Sequence, residues 1–364
     1  MRVAVVGGGA MGAATAWRLT ARGVDVVCFD RFSPPHTLGS SHGESRVIRT
    51  AYFEGSWYVP LLHESFRLWR ELEAETHSDL LTLTGALMIG SPTSEVVSGA
   101  LESARVHELD IDLMDGVALR KRYPGHVLDE DDVGLLDVQA GFVRIESAIE
   151  SMLSHAGDVR RNTPVSSISS LLDTFDAVVV AAGAWTPELV DWLPLAVERQ
   201  VVGWFRIEDG VDWFTPDRFP VFIRESEETG SVYGIPTLDG VSLKVAVHHD
   251  GGSADPERLN REVSDADVNP LKRYVAHYLR GVTTDLVRAS VCMYTNTPDR
   301  HFAIGLSPHD PRVTVISACS GHGFKFAPII GDIAADLVID RRTDRDISRF
   351  SFARFASGDP ARTR

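Results

Sequence analysis

The chain has few cysteines, a shortage of positive charge and no long apolar run. Its 364 residues include three cysteines, and 51 acidic residues outnumber 36 lysines and arginines, giving a formal net charge of −15. Three cysteines cannot build a disulfide framework, which favours a reducing compartment. An acidic surface repels phosphate backbones and anionic lipids, so we expect no nucleic acid and no membrane partner. No apolar run reaches the roughly 18 residues of a transmembrane helix.

Two further absences concern targeting and metals. The chain opens on a strand-like run, Arg2 to Val6, without the basic region and cleavage site of a signal peptide, so we expect a cytoplasmic protein. The cluster His248-His249-Asp250 has no second cluster at matching spacing, and we predict no metal site. Its length predicts two domains rather than one.

The apolar pattern predicts a mixed α/β (α+β) fold in which nucleotide-binding elements lie at the start, middle and end of the chain. Strand-rich segments separate these elements, so we predict two discontinuous domains. One is a Rossmann-like dinucleotide-binding domain of residues 1–82, 138–197 and 288–364, and the other is a substrate-binding domain of residues 83–137 and 198–287. The predicted elements are strands over 2–6, 26–30, 176–182, 201–205, 232–235, 242–247 and 313–318, and helices over 11–22, from Pro60, over 144–156 and over 331–340.

The first strand and helix are joined by the motif Gly7-x-Gly9-x-x-Gly12. Gly7 permits the tight turn, Gly9 lets the backbone approach a diphosphate, and Gly12 lets the helix pack on the strand. The helix then begins at Ala10 and Met11, whose free N–H groups and helix dipole favour a phosphate. The motif therefore predicts a dinucleotide site, with a ligand-free glycine-rich turn as the alternative.

Asp30 ends the second strand, where an acidic residue takes the ribose hydroxyls of adenosine, and we place Arg31 in the same site. The glycine motif alone serves NAD and FAD equally. A second apolar strand ends in a glycine turn at Gly183, an arrangement found beside the first sheet in flavoproteins with two dinucleotide-type segments. Together, the two features favour FAD.

Four further stretches occur in an order that is highly specific. Over residues 2 to about 350 the chain resembles the monomeric sarcosine oxidase family, which includes N-methyltryptophan and pipecolate oxidases. The stretches that carry the resemblance are Gly39 to Arg49; Tyr233 to Pro236 with Leu243, Lys244 and His248; Val291 to Thr295; and Ser320 to Phe326.

The resemblance implies a flavin bound covalently through Cys292. In that family the cysteine of a Cys-Met-Tyr-Thr run is bonded to the 8α position of the flavin, and here the run begins at Cys292. Attachment requires the thiolate form of the cysteine. The residues by themselves leave a buried structural cysteine as the alternative.

The resemblance also implies how a carboxylate substrate binds. It assigns Arg49 and Lys325 to the substrate carboxylate and Arg46 to a position beside the flavin ring. Arginine suits this role because its planar fork matches a carboxylate. Read without the family, the two arginines could also pair with acidic residues or face water, and Lys325 could be solvated, although Phe324 and Phe326 flank it.

Other family positions fall on the flavin and on the substrate side. The resemblance places Lys244 by the N5 face of the flavin, where a fixed cation serves the reduction of O₂. It places Tyr233 and His248 on the substrate side and His42 near the flavin, although a lone histidine is more often structural. The remaining cofactor-binding positions are Ser41, Gly183, Gly321, Gly323 and Phe324.

We therefore expect a monomeric oxidase that transfers a hydride from a secondary amino acid to FAD N5 and is reoxidised by O₂ to give H₂O₂. The substrate is sarcosine or another N-methyl or cyclic amino acid. Three departures from the family favour one larger than sarcosine: Cys319 replaces an aromatic residue, Ile223 replaces a methionine, and the loop 224–230 is more acidic and longer.

Three other interpretations stay open. An FAD-dependent D-amino acid or amine dehydrogenase would pass its electrons to another acceptor than O₂. An NAD-dependent dehydrogenase would use the same glycine motif but would leave Cys292 unexplained. A nucleotide-binding protein without enzymatic activity would not require Arg49, Lys244 and Lys325 together.

Overall fold

The computed structural model describes residues 1–226, 228–249 and 251–355. Three sequence predictions therefore involve positions outside the described residues: Asp250 of the histidine cluster, Glu227 of the acidic loop, and the tail from Ser357, which we expected to fray. Among the described residues, no helix combines the length and the apolar character needed to span a membrane.

The described residues form three sheets and a set of helices. The seventeen strands within the described ranges are β1 (Arg2–Val6), β2 (Asp25–Phe29), β3 (Ser45–Ile48), β4 (Leu81–Leu83), β5 (Ala86–Gly90), β6 (Ile111–Met114), β7 (Val133–Asp137), β8 (Gly141–Arg144), β9 (Asp158–Arg160), β10 (Ala177–Val180), β11 (Ala196–Ile207), β12 (Val221–Ser226), β13 (Gly230–Ile235), β14 (Ser242–Val247), β15 (Val282–Asn296), β16 (Ala303–Leu306) and β17 (Val313–Ser317). The nine α-helices of the same ranges are α1 (Ala10–Ala21), α2 (Val59–Thr76), α3 (Glu95–His107), α4 (Gly116–Arg122), α5 (Ile145–Ser154), α6 (Ile168–Leu172), α7 (Thr186–Leu189), α8 (Asp265–Tyr278) and α9 (Ala327–Ile339).

The first sheet has six strands in the order β16-β17-β10-β1-β2-β9. All neighbours pair in parallel except β16, which runs antiparallel to β17. The central strands β1 and β10 are continuous apolar runs because helices and loops cover both faces of the sheet. Since parallel strands end at the same edge, the carboxyl ends of β1, β2 and β10 meet there and create a crevice for a ligand.

Helices α1 and α9 pack against each other on one face of this sheet. We predicted the last helix from residue 331, but it begins at Ala327, with Pro328 in its first turn. Proline is favoured there because the first helical N–H groups need no partner within the helix. Gly331 lies inside the helix because a Cβ at this position would lie 2.6 Å from the carbonyl oxygen of Ala14 in α1.

The second sheet has eight strands in the order β15-β11-β14-β13-β12-β5-β7-β6. Its pairs are antiparallel apart from β12 and β5. One face packs on α8 through a core that includes Phe205, Phe222 and Tyr274. The other face contributes Ile223 and Tyr233 to a cavity between the sheets.

The strands bear on the predicted division into domains. Every strand of the first sheet comes from residues assigned to the dinucleotide-binding domain. The second sheet draws mainly on the predicted substrate segments, but β11 and β15 run across the predicted boundaries at residues 198 and 288. The exact division stays a prediction. Cys292 lies in the long strand β15, where it pairs with Gln200 of β11 in the second sheet.

Candidate active site

A cavity of about 380 Å³ lies between the carboxyl edge of the first sheet and the second sheet. This volume is within the range of sites that bind small molecules. The residues that line it fall into two groups, which we call the motif end and the cationic end. The motif end contains the glycine motif with Asp30, Arg31 and Gly183, and the cationic end contains Arg49 and Lys325, with Tyr233 and His248 nearby.

The three motif glycines meet different steric demands. Gly7 adopts φ +103°, a conformation that favours glycine. Gly12 lies outside the cavity wall, and a Cβ there would overlap the carbonyl oxygen of Gly7, so its role is close packing. At Gly9, in contrast, the nearest atom to a Cβ would be Ser41 Oγ at 3.8 Å, so a side chain would stand in the cavity.

The space above Gly9 fits a phosphate-bearing ligand. Helix α1 begins here without a side-chain cap, which leaves N–H groups and the positive end of the helix dipole facing the cavity. Ser41 Oγ lies 3.4 Å from the backbone nitrogen of Ala10, and Met11 also lines the wall. Across the cavity, Gly183 has φ +55°, and a Cβ at this position would have no atom within 4 Å, so its backbone too is open to a ligand.

Asp30 accepts hydrogen bonds from the glycine turn and also lines the cavity. Its side chain is 7% exposed and accepts hydrogen bonds from the backbone nitrogens of Gly8 and Phe32, both at 2.7 Å. The carboxylate therefore fixes the glycine turn and still lies on the cavity wall. The sequence predicts the second role only.

At the cationic end, Arg49 is almost completely buried and forms an ion pair with Glu54. Its guanidinium also donates to the carbonyl of Ala51 and packs on the rings of Tyr52 and Phe53, 4.2 and 4.1 Å from their centroids. Burial raises the pKa of Glu54, but the nearby cationic groups, Arg49 first, outweigh it and lower that pKa to about 2. Sequence reasoning assigned Glu54 no role in the site, although it is the only charged residue from 50 to 62 and arginines nearby could pair with acidic residues.

Lys325 lies in a 3-10 turn, Phe324–Phe326, directly before α9. Its ammonium donates to the carbonyl of His322 at 2.6 Å and lies 3.4 Å from the hydroxyl of Tyr52. Burial and the charge of Arg49 lower the pKa of Lys325 to about 7, although Glu54 opposes the shift. The ammonium group of Lys325 therefore titrates near neutral pH.

Lys244 lies behind the residues that line the cavity, and its predicted place by the N5 face of the flavin stays a prediction. It is buried but does not line the cavity; its ammonium donates to the carbonyls of Gly43 at 2.6 Å and Ser45 at 2.7 Å. The side chain from β14 thus ends behind the segment that leads into β3. Burial, and then the charge of Arg46, lower the pKa of Lys244 well below its ordinary value.

Arg46 is the cation of this region that does line the cavity. Its Nη1 donates to the carbonyl of Ser45 at 3.1 Å, the same oxygen that Lys244 binds. Its Nη2 lies 3.2 Å from the carbonyl oxygen of Ser40 and 3.4 Å from Cys292 Sγ. Lys244 and Arg46 are therefore linked through the carbonyl of Ser45, and of the two only Arg46 reaches the cavity.

Cys292 lies at the margin of the cavity. The residue is 5% exposed, and its Sγ is 3.3 Å from the carbonyl oxygen of Ser40. Its neighbours Met293, Tyr294 and Thr295 line the wall, whereas Cys292 itself lies just behind it. The predicted attachment residue is thus next to the cavity and in contact with a cation.

His42 also lies behind the residues that line the cavity, and its predicted place near the flavin stays a prediction. It is buried, it does not line the cavity, and its Nδ1 lies 3.4 Å from Ser290 Oγ in β15. Burial, followed by the charge of Arg46, lowers the pKa of His42 to about 4. The ring is therefore a neutral packing group between the chain before β3 and β15, as expected for a structural histidine.

The structure brings the remaining predicted positions together on the wall. His248 Nδ1 lies 3.3 Å from the hydroxyl of Tyr294, and burial and His249 lower the pKa of His248 well below its ordinary value. Gly321 has φ +76°, and a Cβ there would come within 2.6 Å of the His248 ring and 2.7 Å of the Tyr294 ring. The other predicted residues on the wall are Tyr233, Gly323, Phe324, Ile223 and Cys319.

Comparisons with known proteins agree with this geometry. A family model described as FAD dependent oxidoreductase matches residues 2–337. The monomeric sarcosine oxidase of Streptomyces avermitilis is 37% identical over 375 residues, which cover 98% of each chain. The N-methyl-L-tryptophan oxidase of Yersinia pestis is 32% identical over 370 residues, covering 96% of this chain and 98% of that enzyme.

Solved structures share the fold at lower identity. NikD, an amino acid oxidase essential for nikkomycin biosynthesis, superposes with a TM-score of 0.82 at 23% identity over 96% of each chain. The L-proline dehydrogenase from P. horikoshii has a TM-score of 0.82 at 17% identity over 98% of each chain. The predicted mixed α/β fold, the preference for FAD over NAD and the resemblance to monomeric sarcosine oxidases are confirmed. The chain belongs to the family of FAD-dependent oxidoreductases.

Proposed function

We propose that the protein oxidises N-methyl or other secondary amino acids, that it holds the substrate carboxylate between Arg49 and Lys325, and that O₂ is its electron acceptor. The observation that carries this proposal is the charge of the cationic end. Glu54 already neutralises Arg49, so protonated Lys325 leaves one positive charge for one substrate carboxylate. The relatives named for N-methylated amino acid substrates match the chain at nearly full length.

The motif end holds the dinucleotide. We place the diphosphate over Gly9 and the start of α1, against the open backbone of Gly183, and the adenosine ribose at Asp30. Bound there, FAD supplies the two-electron acceptor for the substrate carbon–hydrogen bond next to nitrogen.

The cationic end orients the amino acid and surrounds the amine, which loses a proton during the reaction. Arg49 and Lys325 fix the carboxylate, which leaves the amine to reach into the centre of the cavity. The substrate ammonium has to lose a proton before its carbon is oxidised. The neutral ring of His248 and the side chain of Tyr233 line this side of the cavity, where they are placed to hydrogen-bond the amine; burial makes the His248 ring too weak a base to keep the proton.

Arg46 supplies the fixed positive charge for the oxygen half of the reaction. Oxygen acquires negative charge when it is reduced, and a preorganised cation stabilises that charge. Lys244 is a positioning residue that holds the carbonyl of Ser45 and thereby the guanidinium of Arg46. The products are H₂O₂ and an imine, which water hydrolyses; an N-methyl substrate then gives the demethylated amino acid and formaldehyde.

We also propose that Cys292 bonds covalently to the flavin. The cysteine lies at the cavity margin, and its Sγ is 3.4 Å from the guanidinium of Arg46, the residue that we place beside the flavin ring. Acid precipitation of the purified protein tests the attachment, because covalent flavin stays in the pellet and free flavin enters the supernatant. Cys292→Ser should move the colour to the supernatant, and Cys28→Ser is the matched control because Cys28 is buried in the first sheet.

The activity is tested by a screen of amino acids for H₂O₂ formation. Sarcosine, larger N-methyl amino acids and cyclic secondary amino acids should give H₂O₂, and the corresponding amines without a carboxylate should not. Turnover with a redox dye but without H₂O₂ would instead identify a dehydrogenase that uses another acceptor. Equal rates with the decarboxylated amines would contradict the carboxylate clamp.

A further inference from the structure

The segment 255–261 is part of the connection from β14 to α8 and packs on wall residues of the motif end of the cavity; we call it the strap. It contains a 3-10 turn, Pro256–Arg258, which Asp255 caps by accepting a hydrogen bond from the backbone nitrogen of Glu257 at 2.9 Å. Both elements that the strap connects belong to the second sheet and its core. The strap therefore brings residues of one layer onto the ligand site of the other.

Glu257 joins the strap to two separate segments of the cavity wall. Its Oε1 accepts a hydrogen bond from Arg31 Nη1 at 2.6 Å and another from Trp185 Nε1 at 2.5 Å. Arg31 follows Asp30 at the end of β2, and Trp185 follows Gly183 after β10; both line the motif end. One carboxylate thus ties together the two strand ends between which we place the adenosine.

Aromatic and ionic contacts reinforce this junction. The guanidinium of Arg31 lies 5.1 Å from the ring of Trp185 and 5.2 Å from that of Phe32. Glu188 Oε2 lies 3.8 Å from Arg31. Arg31 is therefore fixed between two rings and two carboxylates. Its side chain forms part of the wall of the motif end.

The other end of the strap has its own attachment to the first layer. Arg261 donates to the carbonyls of Thr37 at 2.9 Å and Leu38 at 2.6 Å, in the loop that follows β2. Between the two attachments, Leu259 packs with Trp185 on a small apolar cluster around Ala184. The strap is thus held at both ends and along its length.

We propose that the strap is a latch over the adenosine end of the FAD site, with Glu257 as the positioning residue that keeps it closed. This inference rests on the proposed placement of the cofactor. The side chains of Arg31 and Glu257 are 32% and 47% exposed, so their ion pair opens at a small cost and is weakened by salt. The latch admits the dinucleotide when open and, before the bond to Cys292 forms, slows its release when closed.

The test measures reversible cofactor binding in a Cys292→Ser background, where no covalent bond masks the affinity. The variants are Glu257→Gln and the control Arg258→Gln. Arg258 lies in the same turn, its side chain is 88% exposed, and its ion pair partner is Asp255 of the strap, at 4.0 Å. Dissociation constants are measured for FAD by fluorescence quenching and for ADP by displacement of FAD.

Glu257→Gln should raise the Kd of FAD about threefold to tenfold, the range of a partly exposed charged contact. The Kd of ADP should rise by the same factor, because ADP carries the adenosine end without the flavin, and Arg258→Gln should change neither value. The latch is wrong if Glu257→Gln leaves the Kd of FAD unchanged, or weakens FAD but not ADP. Failure of every variant, the control included, to bind FAD would overturn the proposed cofactor site itself and the latch with it.

Discussion

The two ends of the cavity are built in different ways. The motif end consists largely of backbone from positions close together in the chain, Gly7 and Gly9 to Met11, and from the ends of neighbouring parallel strands. The cationic end consists of side chains from distant segments: Arg49 follows β3, and Lys325 precedes α9. A site made of backbone leaves a local pattern in the sequence, whereas a site made of side chains depends on which distant segments meet.

The two buried lysines show the same contrast. Both have pKa values lowered by burial, yet Lys325 lines the cavity and Lys244 does not. All six residues of β14 are buried, so the strand lacks the alternation that would show which way Lys244 points. The turn around Lys325, in contrast, is tied to α2, since Ser65 and Trp69 both donate to its carbonyl.

The largest predicted effect comes from a substitution that disrupts the motif end alone. Gly9→Asp should abolish flavin binding, because the new carboxylate would occupy the space of the diphosphate and repel it. The protein should still fold, since the nearest atom to the new Cβ is 3.8 Å away. Flavin content and thermal unfolding of the purified protein check both statements. Gly252→Asp is the control, and retention of flavin by Gly9→Asp would show that the dinucleotide lies elsewhere.

A second variant breaks the cationic end and leaves the motif end intact. Lys325→Met should lower kcat/KM for an N-methyl amino acid by roughly 30- to 1,000-fold, the equivalent of about 2–4 kcal/mol for a buried charged contact. The flavin content should not change. Lys272→Met removes a lysine in α8 and should have no effect on kcat/KM. Equal kcat/KM for wild type and Lys325→Met would remove Lys325 from the substrate site.

The pH dependence sharpens the comparison of the two lysines. The pKa of Lys325 is about 7, and a carboxylate binds only the protonated ammonium, so this contribution to kcat/KM is nearly complete at about pH 6, is halved near pH 7 and is lost as the pH rises further. Lys325→Arg keeps its charge throughout this range. The ratio of kcat/KM for wild type to that for Lys325→Arg should therefore fall as the pH rises from 6 to about 9. A constant ratio would contradict the assignment.

How far the sequence predicts this molecule follows from the same distinction. It predicted the first strand, the helix after the glycine motif, the second strand and the mixed α/β fold, because these depend on short periodicities and on glycine at fixed positions. It assigned no role to Glu257, whose partners lie on other segments, or to Glu54, whose partner Arg49 is close in the chain but is brought into contact by the path of the backbone after β3. It could not tell that the ring of His42 lies behind the cavity wall, because a motif specifies a position in the chain but not a side-chain direction.

The smallest predicted effect concerns specificity. Cys319 lines the cavity, and its Sγ lies 3.4 Å from the backbone nitrogen of Thr295. Cys319→Phe should lower kcat/KM for a bulky N-methyl amino acid by about 1–2 kcal/mol more than for sarcosine, since the larger ring narrows the wall. Cys319→Ser keeps the size and is the control. Equal losses for the two substrates would show that this position does not limit substrate size.

The central claim is that one cavity holds a flavin at its motif end and an amino acid carboxylate at its cationic end. Anaerobic mixing of the purified protein with an N-methyl amino acid tests this claim most directly. The visible flavin absorbance should bleach, and it should return with one H₂O₂ per flavin when O₂ is admitted. The same amine without its carboxylate should leave the colour unchanged. Bleaching by both compounds, or by neither, would contradict the claim.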